Sequence, residues 1–277
     1  MNFDNNIVAA FDRYILASNF KRIESKYSMA KLPELVDYSP SYNTSVGDNS
    51  YIINNNQTKE IQLFDFGLNF NGEVIPFVRA EGDRNSEDNP NYHGSKAIFL
   101  KPEFNRLIRY QRCLVLADAF VVGINTGKPY LVYLRGKQRP FSFAGIWNNS
   151  KDEDTGEVVY SFAIITCVAN TLLQKLGLKR MPVILLHEYE STWLRPSAQL
   201  SDILSMLSPF PANLMNAYPI STRITDKTLN DVSLLQPTGN PIYYENFNHK
   251  KMSRLGKKES GETKVHATLA ERMKPGK

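Results

Sequence analysis

The sequence KPEFNRLIRYQRCLVLADAFVV, residues 101–122, decides the fold of this chain. Its first half has the apolar spacing of a short helix, with Pro102 in the first turn, where proline is well tolerated. Its second half, residues 113–122, is an apolar run that predicts a single buried strand. A helix that leads directly into a buried strand favours a fold in which helices flank a sheet.

Strand patterns continue on both sides of this stretch. On the C-terminal side they are KPYLVYL at 128–134, RPFSFAGIW at 139–147 and VVYSFAIITCVA at 158–169, and on the N-terminal side IQLFDFGLNF at 61–70 and VIPFVRA at 74–80. Strands this close together in sequence favour a largely antiparallel sheet.

The pattern changes after Ala169. ANTLLQKLGL at 169–178 predicts a helix closed by Gly177, and RMPVILL at 180–186 predicts a strand entered through Pro182. SAQLSDILSML at 197–207 predicts another helix, with Ser197 as its N-cap. The sequence therefore predicts an α+β protein.

The net charge of +5 is concentrated at the C-terminal end of the chain. Residues 249–277 hold nine lysines and arginines and three glutamates, a net charge of +6, so the preceding residues carry −1. We therefore predict a folded domain over residues 1–246 and a basic, flexible tail over residues 247–277. The tail can attract nucleic-acid phosphates without sequence preference, whereas the body gives no charge signature of a basic groove.

No uncharged apolar run approaches the roughly 20 residues that a membrane-spanning helix needs. The start of the chain also lacks a basic segment leading into an apolar one. We expect a cytoplasmic, monomeric protein without a membrane partner.

Cysteine and histidine give no pattern that indicates a metal or a cofactor. Cys113 and Cys167 each lie in an apolar stretch, which is typical of small buried residues rather than of a disulfide or a metal ligand. The four histidines have no spacing that suggests a metal site or a catalytic triad, and surface positions are expected for them. They are His93, His187, His249 and His266.

Six strings occur in a consistent order over most of the chain. They are YN at 42–43, YQRCLVLADAF at 110–120, AGIW at 144–147, SFAIITCVAN at 161–170, RMPVIL at 180–185 with Trp193 and Leu194 after it, and TDKTLNDVSLLQP at 225–237. Together they resemble the motifs of the SOS response-associated peptidase family. Each string alone is a weak signal, but six in order are hard to explain by chance.

This resemblance implies a compact domain of curved, largely antiparallel sheets with flanking helices, which frames a groove for single-stranded DNA. Members of the family bind abasic sites. A cysteine exposed by removal of the initiator Met forms a thiazolidine with the ring-opened sugar. Such chemistry requires a free α-amine, a thiol and a nearby acid/base pair.

The positions that carry this chemistry in the family are apolar here. The segment AFDRY at 10–14 resembles the family start, so Phe11 stands in place of the cysteine, ten residues into the chain. Phe77 stands in place of an asparagine, Val122 of a glutamate and Leu178 of a histidine. Since apolar side chains need no hydrogen-bond partner and can pack together, we expect a filled or partly filled site without catalytic residues.

Five other residues match groove positions of the family and are candidate DNA ligands. They are Arg13, Asn43, Arg79, Thr166 and Arg180. Guanidinium groups suit phosphates well. The alternative is that each arginine is held by a carboxylate such as Glu81 and only supports the fold.

Three functional hypotheses follow. The first is a noncatalytic protein that still holds single-stranded or abasic DNA through the old groove. The second is an active enzyme that forms a DNA–protein crosslink or cleaves a peptide bond through other residues, for which Cys113 and Cys167 are the only thiols. The third is a protein-interaction scaffold without DNA binding, with which a body charge of −1 agrees.

Overall fold

The computed structural model describes residues 11, 13–28, 37–70, 72–81, 96–136, 138–151 and 155–243. The predicted basic tail lies outside these residues. The strands are β1 Arg13–Leu16, β2 Ser41–Thr44, β3 Asn49–Asn54, β4 Gln62–Phe66, β5 Leu68–Phe70, β6 Glu73–Ile75, β7 Phe77–Arg79, β8 Arg112–Ala117, β9 Ala119–Val122, β10 Tyr130–Leu134, β11 Phe141–Lys151, β12 Val158–Val168, β13 Arg180–Pro182, β14 Ile184–Leu185 and β15 Met215–Pro219. The α-helices are α1 Phe20–Tyr27, α2 Pro102–Tyr110, α3 Thr171–Lys175, α4 His187–Leu194 and α5 Leu200–Ser205.

The larger sheet closes on itself. Strands β12, β4, β3, β8 and β11 pair in that order, and β11 also pairs with β12, so that five strands form a ring. Strands β13 and β7 add to β12, and β14 adds to β11. Closure leaves fewer unpaired strand edges and encloses a core of large side chains.

A second sheet of five antiparallel strands, in the order β15-β10-β9-β1-β2, lies beside the ring. In the described residues, the parallel pairings are β12 with β4 and β12 with β7. The predicted α+β class with largely antiparallel sheets is therefore confirmed. The helices are short, and α2 and α4 pack against β8 and β11.

The buried run after α2 is not one strand, as the sequence predicted, but two. Its first part, β8, belongs to the ring and its second part, β9, to the other sheet. The break falls at Asp118, which is 1% exposed and accepts hydrogen bonds from the backbone N–H of Ala17 and Ser18 at 2.7 and 2.6 Å. Apolar composition continues across the break because both parts are buried, so composition alone cannot locate it.

Three other local predictions differ from the structure, because contacts distant in sequence set the ends of these elements. The segment 74–80 is split by Pro76, and the segment 180–186 is split at Val183, so Pro182 ends a strand instead of opening it. Helix α5 begins after Gln199 without a side-chain cap, so the prediction of Ser197 as its N-cap was wrong. The sequence reading missed α4 altogether.

One buried cation holds both helices that cover the ring. Arg112 at the start of β8 is 0% exposed, and its Nε donates to the carbonyl of Trp193 at 2.7 Å. Its Nη1 donates to the carbonyls of Ile108 and Arg109, and Nη2 to that of Arg195 at 2.7 Å. These carbonyls lie at the C-terminal ends of α2 and α4, where a positive charge is favourable. Burial lowers the pKa of Arg112 to about 10, which leaves it charged at neutral pH.

Gly145 lies opposite Cys113 in the β11–β8 pair. A Cβ atom at Gly145 would lie 2.7 Å from Cys113 Sγ and 3.0 Å from Val115 Cγ2, which is closer than side chains tolerate. The two strands therefore need a glycine here.

Replacement of Arg112 by methionine should lower the free energy of unfolding by about 3 kcal/mol or more, because four buried carbonyls lose a charged donor. Arg106→Met, on the exposed face of α2, is the matched control and should change it by less than about 0.5 kcal/mol. Urea denaturation followed by circular dichroism measures both. Equal effects of the two substitutions would show that Arg112 does not hold the helices.

Candidate functional site

The four apolar positions that the resemblance aligns with catalytic residues lie in or against the main core. Phe11, just before β1, is 2% exposed, and Phe77, at the start of β7, is 6% exposed. Val122 at the end of β9 is also buried, and half-buried Leu178 packs against the same core. All four therefore belong to or pack against the same hydrophobic core, and Phe11 and Phe77 are in direct contact.

Aromatic rings fill the space around Phe11. Its ring centroid lies 5.0 Å from Phe77 in an edge-to-face arrangement, 5.4 Å from Phe143 in a stacked one and 5.7 Å from Phe120. Phe66 stacks further along, at 6.5 Å from Phe11 and 5.3 Å from Phe162. Such pairs add to the free energy of burial. Tyr14 joins the cluster edge-to-face, 6.2 Å from Phe11, and brings a buried hydroxyl whose pKa burial raises well above its ordinary value. The phenylalanine rings themselves offer no atom that could activate a nucleophile or move a proton.

Beside the cluster lies a buried ion pair. Arg180 on β13 donates from Nη2 to Glu81 Oε2 at 2.7 Å, and the two side chains are 2% and 1% exposed. The Arg180 Nε and Nη2 atoms also contact Thr166 Oγ1, each at 3.1 Å, and Nη2 donates to the Thr166 carbonyl at 2.8 Å. Arg180 and Thr166 therefore have internal partners, as the alternative reading of these residues supposed.

Asn43 is also engaged inside the protein. It is 5% exposed, and its Nδ2 donates to the carbonyls of Asp226 and Leu229 at 2.8 and 3.0 Å. These bonds fasten β2 to the segment that resembles the family ending. Of the five candidate DNA ligands, only Arg13 and Arg79 are more than one tenth exposed, both half-buried.

Arg13 and Arg79 flank the aromatic cluster. Arg79 shares a face of β7 with Phe77, since alternate residues of a strand point the same way, and it lies opposite Thr166 of β12. Arg13 opens β1 two residues after Phe11 and lies opposite Val121. Because the Phe11 and Phe77 rings touch, the two arginines start from neighbouring strand ends at the filled site.

Neither thiol is placed to act as a nucleophile. Cys113 and Cys167 are both 0% exposed and free of disulfides. Burial raises the pKa of Cys113 well above its ordinary value and that of Cys167 to about 12, the latter with a further contribution from the charge of Glu81. A thiol must ionise to react, so both are unreactive in the folded protein.

One histidine falls within the described residues. His187 is exposed, with 71% of its side chain accessible, and its Nδ1 lies 2.7 Å from Glu190 Oε2. The other three histidines lie outside the described residues. Over the part of the chain that the structure describes, no three His, Cys, Asp or Glu side chains come together as a metal site, and no helix is long and apolar enough to cross a membrane.

The sequence reading missed a polar cluster around Glu190. This carboxylate is 5% exposed and accepts from Lys26 Nζ at 3.0 Å and from Ser142 Oγ at 2.8 Å, beside the contact with His187. Burial lowers the pKa of Lys26, and Glu190 opposes that shift. The partners come from α1, β11 and α4, so no local spacing could have indicated the cluster.

Comparison of the sequence with known proteins identifies its family. The model of the family described as SOS response associated peptidase (SRAP) matches residues 12–227. Among curated proteins, the chain is 29% identical over 229 residues to the abasic site processing protein YoaM of Bacillus subtilis, covering 80% of this chain and 96% of that protein. It is 28% identical over 233 residues to the abasic site processing protein YoqW of the same organism, covering 81% and 98%.

Solved structures give the same result. A crystal structure of a protein from Bacteroides thetaiotaomicron superposes with a TM-score of 0.64 at 26% identity, covering 81% of this chain and 98% of that one. The fold and the order of motifs therefore match over almost the whole length of these proteins.

Asparagine and leucine have similar shapes, so Phe77→Asn and Phe77→Leu separate polarity from volume at the filled site. Both should lower the free energy of unfolding by leaving a cavity. The asparagine variant should be less stable than the leucine variant by about 2 kcal/mol, because its amide is buried among aromatic rings. Thermal and urea unfolding measure the difference, and equal stabilities would mean that the site admits water.

The two thiols should not react with Ellman's reagent in the native protein. Both should titrate in denaturant, because unfolding exposes them and restores their ordinary pKa. A thiol that is labelled rapidly under native conditions would support the crosslinking hypothesis.

Proposed function

This chain belongs to the SOS response-associated peptidase family, and from that starting point we propose that it holds single-stranded or abasic DNA without forming a covalent bond. The family and its relatives named for abasic site processing support the link to DNA damage. Within the response to DNA damage, we assign this chain a binding role without catalysis.

The observation that carries this proposal is the aromatic filling of the aligned catalytic position. Phe11 offers no thiol, and its ring packs against Phe77, Phe120 and Phe143. An enzyme of this kind needs a nucleophile and a proton carrier within hydrogen-bond reach of the reacting atoms. Here these positions contribute packing energy instead.

The proposed DNA contacts divide into two groups. Arg13 and Arg79 are half-buried and start from strand ends beside the cluster, so their guanidinium groups are the ones that phosphates would reach. Asn43, Thr166 and Arg180 are fully buried, at 5%, 2% and 2% exposure, and act as positioning residues. Arg180 joins β13 to Glu81 just beyond β7, which fixes the strand that carries Arg79.

The second hypothesis, an active enzyme that uses other residues, has no support from the cysteines because both are buried with raised pKa values. The scaffold hypothesis rests on the −1 charge of the body. It differs from the proposal in one measurable respect, since a scaffold does not bind DNA.

A native binding assay across a salt series, run beside a denaturing gel, tests the proposal. The probe is a single-stranded oligonucleotide with one abasic site. The full chain should bind with an affinity that falls as salt rises, and no band should survive denaturation. Loss of one phosphate contact in Arg79→Ala should weaken binding and reduce the slope of log K against log salt by about 0.7.

Arg79→Lys should retain most of the slope, because it keeps the charge. Arg195→Ala removes an exposed arginine outside the aligned site and is the matched control. All variants keep residues 247–277, so differences among them report on the folded domain. A covalent band would make the protein an enzyme, and the absence of binding would leave the scaffold.

A further inference from the structure

A cavity opens at the surface beside the aromatic cluster. It has a volume of about 710 Å³ and is open to solvent. Trp147, in its wall, is four residues along β11 from Phe143, which contacts Phe11. At about 3.3 Å per residue, that separation is about 13 Å. Phe64, also in the wall, is only two residues along β4 from Phe66 of the aromatic cluster, but none of the four aligned positions lines the cavity.

Amide side chains dominate the polar part of the wall. Six of them face the cavity: Asn54, Asn56, Gln57, Gln62, Gln111 and Asn149. Asn54 and Gln62 already hydrogen-bond to each other, and Asn54 Oδ1 accepts from the backbone N–H groups of Asn56 and Gln57. The other four amides each carry a donor and an acceptor, so they suit a ligand whose edge alternates the two. Among the described residues that line the cavity, Arg106 is the one charged side chain.

Gln111 is the residue of the wall whose side chain has an unsatisfied polar atom. It is 6% exposed, yet its Oε1 is buried without a hydrogen-bond partner among the described residues. Its backbone is fully engaged, since its N–H donates to Leu107 at 2.8 Å and its carbonyl accepts from Trp147 at 2.9 Å. The fold therefore uses the Gln111 backbone, and the side-chain amide remains for something else.

Aromatic rings form the apolar part of the wall. Tyr160 is 44% exposed and stacks on buried Phe64, with ring centroids 5.0 Å apart and planes 24° apart. Trp147 lies 6.3 Å from Tyr160, and its Nε1 donates to Asn55 Oδ1 at 3.1 Å, which fixes the indole. Phe64 supports one face of Tyr160, and the rest of that ring is available to a planar ligand.

We propose that this cavity binds a nucleotide unit, with the base stacked on Tyr160 and its polar edge hydrogen-bonded to the amides, Gln111 among them. Aromatic rings stack any base, and glutamine and asparagine suit the paired donor and acceptor of a base edge. Arg106 lies on the exposed side of α2, where it can pair with the phosphate. A neutral sugar could contact the amides and the rings, but it has no negative group to pair with Arg106.

This inference goes beyond the proposed function and does not depend on it. The nucleotide unit is either a free mononucleotide or one residue of a strand, and both share the same chemistry. The cavity would hold it even if Arg13 and Arg79 contacted no DNA.

Isothermal titration of the full chain tests the proposal with the four 5′-mononucleotides AMP, GMP, CMP and UMP, and with maltose as the neutral sugar. At least one nucleotide should bind saturably, and maltose should not. The dephosphorylated nucleoside should bind more weakly, because it gives up the contact with Arg106.

Two substitutions connect binding to the cavity. Tyr160→Ala should weaken nucleotide binding about tenfold through loss of stacking. Its control is Tyr189→Ala, which removes a tyrosine of similar exposure, 42%, on α4 and should leave binding unchanged. Gln111→Met keeps the length of the side chain and should weaken binding about fivefold. It should not lower the melting temperature, since the orphaned oxygen stabilises nothing in the empty cavity.

The outcomes separate this inference from the proposed function. Nucleotide binding that survives Arg79→Ala but is lost in Tyr160→Ala supports the cavity, whatever the DNA assay gives. Binding of maltose as tight as that of any nucleotide, no saturable nucleotide binding, or equal effects of Tyr160→Ala and Tyr189→Ala would each overturn it. A clear loss of stability in Gln111→Met would show that the amide is structural.

Discussion

The guanidinium of Arg112 is the contact on which the arrangement of helices on the ring depends. It places one positive charge where the C-terminal ends of α2 and α4 converge, and it satisfies carbonyls that neither helix can satisfy itself. The next residue, Cys113, accepts a hydrogen bond from Trp193 Nε1 at 3.0 Å, which fixes α4 a second time. Because β8 pairs with both β3 and β11, this anchorage reaches the whole ring.

Within that framework, the position aligned with the family's nucleophile is apolar, and the polar residues around it are fixed by internal contacts. A catalytic centre keeps polar groups close together and leaves them partly unsatisfied, which costs stability. Here the centre is a cluster of phenylalanines, whereas the Arg180–Glu81 pair and the Asn43 hydrogen bonds around it are intact. Removal of one member of a buried ion pair is strongly destabilising, so these residues are held by the fold itself.

The sequence predicted what depends on local pattern. Helix α2 with Pro102 in its first turn, strand β4 with its break at Gly67, and the long strands β11 and β12 lie where periodicity placed them. The break at Asp118 was not predictable in this way, because it is set by partners about 100 residues away. For Arg180 the sequence left two roles open, and the ion pair with Glu81, 99 residues away, required the fold. The amide cavity combines segments 54–64, 106–111 and 147–160. The run NNNQ at 54–57 is visible in the sequence, but its meeting with Gln111 and Tyr160 depends on the fold.

The close approach of Gly145 to Cys113 couples the residue types that these two positions can hold. A methyl group at residue 145 fits only if residue 113 gives up its sulfur, and a larger residue at 113 needs the glycine even more strictly. A residue no larger than cysteine fits at 113 without any change at Gly145, whereas a side chain at 145 also meets Val115 Cγ2 at 3.0 Å and the Ala163 carbonyl at 3.2 Å. The steric constraint therefore acts in one direction, and the thiol of Cys113 serves as a spacer between two strands.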